Sequence, residues 1–393
     1  MASSPRDNLL AGMDPGTFLQ IHWQKKPLLI RQAIPGFASP LDGDELAGLA
    51  CEEGVEARLI ERRGGRWSLR QGPFGERDFS RLPARDWTLL VQDVDKHLPD
   101  FAEYLDLFDF IPSWRVDDLM ISVAAEGGGV GPHTDAYDVF LLQAAGRRQW
   151  SIAGNYDPAI IEGLDVRVLR HFEAEQSFVL EPGDMLYLPP NVAHDGIALD
   201  DGCQTWSIGF RAPSVREMFT DFSEWLYQRL AESAMYTDAD LAPDEASGGR
   251  IDARAFARAR ALLEQALQSG DGDLERWFGC FMTEPKPWLE CEPADEPLTA
   301  DDLRALFANG KALLRDSRAR LAWTGMNGRC LLFVNGECRE LPVSMAGTLE
   351  KLCTLRRLDR DALANALDEP GIALLLDLHA AGVLHVEDDD DEQ

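Results

Sequence analysis

The hydrophobic pattern of the chain changes its period twice. Between residues 117 and 211 apolar positions come in short runs, at 119–125, 139–143, 149–152, 177–180, 185–188 and 205–210, separated by Gly, Pro and Asp turns. Short strands at this spacing predict a barrel or sandwich. Ahead of them, residues 1–115 mix short helices and strands. A helix is expected at 14–23, with Asp14 as cap and Pro15 in the first turn, then a strand at 25–31 and a helix at 41–53. Beyond Arg211-Ala212-Pro213 the period becomes helical. Ser214 caps a segment with Val215, Met218, Phe219, Phe222, Trp225, Leu226 and Leu230 at i, i+3, i+4 spacing. Further helices are expected near 253–268 and 274–282, with a loop at 243–249.

A Pro- and Glu-rich stretch at 284–298 reads as a linker. The remainder predicts a capped helix from Thr299, strands near 312–315, 319–323 and 331–334, and a hairpin turn at Asn335-Gly336. Helices near 347–353, 360–367 and 371–381 and a strand at 383–386 complete it. This order resembles a winged-helix unit. The expectation is an α+β chain in three parts: a barrel over 1–212, a helical dimerisation region over 213–290 and a winged-helix-like domain over 296–393.

Composition narrows the class. At 393 residues the chain exceeds one ordinary core, and 45% hydrophobic residues with ten tryptophans indicate globular domains. There is no long apolar run and no apolar leader, so a cytoplasmic protein without membrane spans is expected. Seven scattered cysteines without a C-x-x-C pair read as reduced thiols, not a zinc or disulfide framework. The net charge of −30 repels phosphate backbones and favours a basic partner, or serves solubility or high salt. The last part has more Asp and Glu than Lys and Arg, so no DNA binding is expected from it. The final acidic run, 387–392, reads as a solvated tail.

Candidate chemistry lies inside the strand-rich region. His133 and Asp135 stand at i, i+2, which a strand presents on one face. His194 follows 59 residues after Asp135, behind a turn (Gly183-Asp184), a short apolar strand and a second turn (Pro189-Pro190-Asn191). That is how a small double-stranded β-helix delivers a last ligand. Two imidazoles and one carboxylate make the facial triad of a non-haem Fe(II) oxygenase, with three metal positions open. Such an oxygenase needs O2 and a co-substrate. With 2-oxoglutarate, the distal carboxylate calls for a cation, and Arg147 and Arg148 are the candidates. Ser122 is the matching hydroxyl. Alternation from Ser122 adds Met120 and Asp118 to the site face, and the row from Asp135 adds Tyr137, with Ser207 as a fourth member. Acid, thioether and ring together form a slot for a long cationic side chain.

These residues carry a family resemblance. M-I-S (120–122), G-G-G-V-G-P-H-T-D-A-Y-D-V-F (127–140), G-R-R-Q-W (146–150), E-P-G-D-M-L-Y-L-P-P (181–190), S-I-G-F-R-A-P (207–213) and W-Q-K-K-P-L-L-I-R (23–31) resemble the JmjC-type bacterial ribosomal oxygenases. The resemblance implies a JmjC (cupin-type) barrel, a helical dimerisation region and a C-terminal winged helix. It implies Fe(II) at His133, Asp135 and His194, with Arg148 and Ser122 on 2-oxoglutarate. It further implies hydroxylation of an arginine on a basic large-subunit ribosomal protein, number sixteen. Thr134, between the first two ligands, departs from the pattern on the opposite strand face. The alternatives are a histidyl hydroxylase or N-methyl-lysine demethylase on the same scaffold, a non-catalytic protein-binding JmjC module, and a metal-dependent cupin acting on a small molecule.

Overall fold

The computed structural model describes residues 8–164, 166–241, 249–267, 270 and 272–387. The expected loop at 243–249 and the acidic tail fall almost wholly outside the described residues. The chain begins with helix α1 (Pro15–Ile21), strand β1 (Leu28–Ile30) and helix α2 (Gly43–Leu49). Asp14 caps α1 by accepting the Thr17 amide, and an Asp42–Glu45 capping box starts α2. Strands β2 (Ala57–Arg63) and β3 (Arg66–Gln71), short helix α3 (Glu76–Phe79), strand β4 (Trp87–Val91) and short helix α4 (Val94–His97) follow. Then come β5 (Val116–Ala124), β6 (Asp138–Ala145), β7 (Arg148–Ala153), β8 (Gln176–Leu180), β9 (Met185–Leu188), β10 (Ala193–Ala198) and β11 (Cys203–Phe210).

These strands make an eight-stranded sheet, β1-β9-β6-β11-β5-β4-β2-β3, and a three-stranded sheet, β10-β7-β8. Alternation decides which residues face the cavity between them. Leu119, Ile121 and Val123 of β5 join Phe140, Tyr187, Trp206 and Phe210 in the core shared with Phe18 and Leu46 of the first helices. The other parity of the large sheet, Val139, Leu141, Leu186 and Leu188, packs against Trp150 and Ile152 of the small sheet. Asp118, Met120 and Ser122 share β5's inward parity, and Thr205 and Ser207 lie directly across from Ser122 and Met120 on β11.

The helical segment contains α5 (Val215–Tyr227), α6 (Ala253–Leu267) and α7 (Asp273–Thr283), with a Ser214–Glu217 capping box opening α5. Next are α8 (Ala300–Ala308), β12 (Leu313–Arg315), β13 (Leu321–Met326), β14 (Arg329–Val334), β15 (Glu337–Pro342), α9 (Ala346–Thr354), β16 (Arg357–Leu358), α10 (Glu369–Ala380) and β17 (Leu384–Val386). Asn335 and Gly336 both have positive φ, as a type I′ turn requires, and join β14 to β15. The helix expected at 360–367 is instead a turn and a single 3-10 turn at Ala364–Ala366. Asp368 starts the true helix, accepting the Gly371 amide with Pro370 in the first turn.

The chain forms two compact units: residues 1–212, 286–319 and 354–393 in one, and residues 213–285 and 320–353 in the other. Both are discontinuous, unlike the linear three-part layout expected from the sequence. In the first unit α8 and α10 accompany the sheet β16-β12-β17; in the second, α7 packs on the sheet β13-β14-β15. No helix is long and apolar enough to cross a membrane among the described residues.

Candidate active site

The metal-ligand candidates meet because of one main-chain bridge. His133 lies on an isolated antiparallel bridge to His194, where each amide donates to the other's carbonyl at 3.0 and 2.9 Å. The Asn191 amide donates to the Asp135 carbonyl at 2.8 Å, which ties the second turn to the first ligand loop. The ligand atoms of His133, Asp135 and His194 all lie within 4.8 Å of one another. Asp135 Oδ1 is 3.9 Å from His133 Nε2, and Oδ2 is 3.5 Å from His194 Nε2. His133 Nδ1 lies 2.8 Å from the Gly131 carbonyl and His194 Nδ1 2.9 Å from the Val192 carbonyl. A carbonyl partner makes Nδ1 the donor in each ring, leaving the Nε2 lone pair for a metal. Burial, then the nearby His133, pulls the His194 pKa down to about 4 against the opposing pull of Asp135. A neutral imidazole is the form that ligates. His194 is almost fully covered while His133 and Asp135 are 24% and 21% exposed, so the centre is open on one side.

The two arginines of the following turn separate cleanly. Arg147 points to solvent, where its guanidinium forms a bidentate pair with Asp200 at 2.9 and 3.0 Å. Arg148 is 3% exposed, and its Nε and Nη2 have no hydrogen-bond partner among the described residues. Its strand position matches that of Trp150 and Ile152, so it faces the barrel cavity. A buried guanidinium with two unsatisfied donors is costly unless an anion completes it. The donor set therefore fits 2-oxoglutarate: two imidazoles and a carboxylate for the metal end, and a free cation for the distal carboxylate. Ser122, also buried on the inner face, donates to the Thr205 carbonyl at 3.4 Å.

Asp118 is 6% exposed on the same face, and its Oδ2 accepts the Asp93 amide at 3.2 Å. Burial first, then the charges of Asp93 and Asp117, push its pKa up to about 7. Met120 is next on that face, with an Arg58 nitrogen 3.9 Å from its sulfur, and Ser207 is paired across from Met120. Tyr137 does not extend the Asp135 row. Residues 134–137 form no strand, so Tyr137 lies in the bend ahead of β6 and is 41% exposed. Its hydroxyl end is desolvated, and burial, then the charges of Asp135 and Asp118, hold its pKa well above the usual phenol range. Sequence reasoning missed Asp93 and Lys286. Lys286 Nζ pairs with Asp93 Oδ2 at 2.5 Å, and Asp93 adopts φ 55. No local pattern points to either, because they meet only through the fold.

The JmjC domain family matches residues 103–218, and the ROXA-like winged helix family matches residues 261–385. The chain is 33% identical over 360 residues to the ribosomal protein uL16 3-hydroxylase of Escherichia coli (strain K12), covering 91% of this chain and 94% of that protein. The chain belongs to the ribosomal oxygenase family. It is also 32% identical over 379 residues to a probable ribosomal oxygenase of Haemophilus influenzae, covering 92% of this chain and 93% of that one. The structure of the E. coli ribosomal oxygenase YcfD in complex with cobalt and 2-oxoglutarate aligns over 96% of this chain and 99% of that one, with TM-score 0.83 at 32% identity. As a ribosomal oxygenase the chain is a metal- and 2-oxoglutarate-dependent hydroxylase, which sets aside the reading of a non-catalytic binding module. The barrel and the winged helix expected from the sequence are those of the family.

Proposed function

We propose that this ribosomal oxygenase hydroxylates an arginine side chain of a basic large-subunit ribosomal protein, uL16, at the third carbon. Fe(II) held by His133, Asp135 and His194, with 2-oxoglutarate and O2, supplies an oxidant able to functionalise an unactivated C–H bond. The chain's own residues do the positioning. Arg148 and Ser122 orient the co-substrate, and the open side of the triad receives the substrate. The observation that carries the substrate reading is Asp118: a buried carboxylate on the cavity face whose neighbouring lysine, Lys286, is paired to Asp93 instead. A guanidinium entering beside Asp118 would pair with it and shift it to the ionised form. Met120, Tyr137 and Ser207 complete the slot, the ring for stacking and the hydroxyl for accepting a guanidinium N–H. A planar guanidinium fork matches a carboxylate bidentately and can stack on the ring, whereas a lysine ammonium binds as a compact point charge. The net charge of −30 favours encounter with a basic protein in a cytoplasmic setting.

The test is hydroxylation of a uL16 peptide by the Asp118→Asn variant. Hydroxylation is expected to be lost while metal and 2-oxoglutarate binding persist, and a lysine-for-arginine peptide is expected to fail with the wild type. Normal hydroxylation by Asp118→Asn would refute the cation slot. Hydroxyhistidine or demethylated lysine as the product would replace the arginine reading. The exposed apolar side chains Val215, Phe219, Phe256 and Leu263 on α5 and α6 support a homodimer formed through the helical region. The acidic winged helix supports protein contact over DNA binding.

A further inference from the structure

Outside the active site, two cysteines far apart in sequence face each other in the second unit. Helix α7 lies on the sheet β13-β14-β15 so closely that a Cβ on Gly279 would meet the Phe333 ring at 2.3 Å. Cys338 of β15 is the register partner of Phe333, so both side chains lie on that covered face. Cys280 follows Gly279 and stands one turn after Arg276. Arg276 donates to Glu340 at 2.7 Å and approaches the Cys338 sulfur at 3.7 Å. An i, i+4 pair on the helix thus meets an i, i+2 pair on the strand. Both thiols are free and partly exposed. The neighbouring Cys280 thiol first, and then the Arg276 charge, pulls the Cys338 pKa down to about 7, while Cys280 is held above its usual range.

We propose that Cys338 and Cys280 form a reversible oxidation site, with Cys338 the nucleophile toward hydrogen peroxide and Cys280 the resolving thiol. The Cys338 thiolate attacks one peroxide oxygen, the O–O bond breaks, hydroxide leaves and the sulfur becomes a sulfenic acid. The Cys280 sulfur then attacks the Cys338 sulfur. The S–O bond breaks, and the departing oxygen takes the Cys280 proton and leaves as water. Two thiols lose two electrons, peroxide becomes two waters, and an added dithiol reverses the change. The resulting bridge staples α7 to β15. Cys51 is an internal control, since burial, then Glu52, Glu76 and Asp78, push its thiol up.

The experiment treats reduced, metal-stripped full-length protein with increasing hydrogen peroxide and maps the cysteines by non-reducing peptide mass spectrometry. A Cys280–Cys338 cross-link is expected before any oxidation of Cys51 or Cys291, and dithiothreitol should remove it. In Cys280→Ser the sulfenic acid should persist on Cys338 and be trapped by dimedone; in Cys338→Ser no sulfenic acid should form on Cys280. Iodoacetamide at pH 7 should label Cys338 of the wild type about threefold or more faster than Cys51. Equal labelling of the two, or Cys51 oxidation preceding the cross-link, overturns the proposal. Both wild-type measurements decide it even if a serine variant fails to fold.

Discussion

Replacing Arg148 with Met separates the cost of a buried charge from its use. The guanidinium is 3% exposed and stacks beside Trp150, with its carbon 5.8 Å from the ring centroid, yet Nε and Nη2 are unpartnered. In the ligand-free protein its desolvation opposes folding, and Met keeps most of the apolar stem. The ligand-free variant is therefore expected to melt no lower than the wild type. Binding of 2-oxoglutarate should suffer instead, because truncating one partner of a buried charge pair costs about 2–5 kcal/mol. At about 1.4 kcal/mol per decade, this raises the dissociation constant by roughly thirty-fold to a few thousand-fold. A wild-type protein held at about a hundred times its dissociation constant gains about 2.7 kcal/mol of stability, and the variant should lose about two-thirds or more of that gain. Differential scanning calorimetry with and without 2-oxoglutarate, alongside a turnover titration, measures both effects. Arg147→Ala, which removes only the solvent-facing pair with Asp200, should leave the titration unchanged. A ligand-free Arg148→Met protein that melts well below wild type, or an unchanged titration, refutes the reasoning; a shift in Arg147→Ala instead would assign the cation to the other arginine.

The remaining predictions concern the metal, the barrel edge and assembly. His133→Ala and His194→Ala should each abolish metal binding by calorimetry and 2-oxoglutarate turnover while preserving the circular dichroism spectrum; retained turnover in both would sink the triad. Burial alone would raise the Asp184 pKa, but the Gln32 and Glu181 amides and Arg31 hold it below the ordinary carboxylate value. Because the folded-state pKa is depressed, this stabilisation is complete above the unfolded value and is lost as pH falls through the folded one. Asp184→Asn should therefore cost about 1.5–3 kcal/mol at pH 7. The deficit, followed by thermal melts, should shrink below about pH 4; a pH-independent deficit would mean that shape matters there more than charge. A double Phe219→Glu, Leu263→Glu variant should sediment as a monomer at concentrations where the wild type is a dimer, and a wild-type monomer at all concentrations would end the dimer proposal.

What the sequence determined by itself was the local part of the design. Asp14, Asp42, Ser214 and Thr299 each accept the amide that starts a helix, and such caps depend on residues within one turn. The spacing of His133 and Asp135, the turn-strand-turn before His194, and the parity of Asp118, Met120 and Ser122 are also local, so the metal centre and the shared face of those three β5 residues were legible. The weaker inferences crossed a turn. Parity could not separate Arg147 from Arg148; the fold buries the second and pairs the first with Asp200. Parity also failed for Tyr137, because the segment after Asp135 leaves the strand before β6 begins. Helical periodicity at 360–367 lost to the stronger start signal of Asp368 and Pro370. Three features belonged to the tertiary structure alone: the His133–His194 bridge, the Asp93 amide and Lys286 beside Asp118, and the meeting of Cys280 with Cys338. Each joins residues from separate elements through sheet pairing or helix packing. No short-range pattern encodes such a meeting, because its position follows from how whole faces are buried.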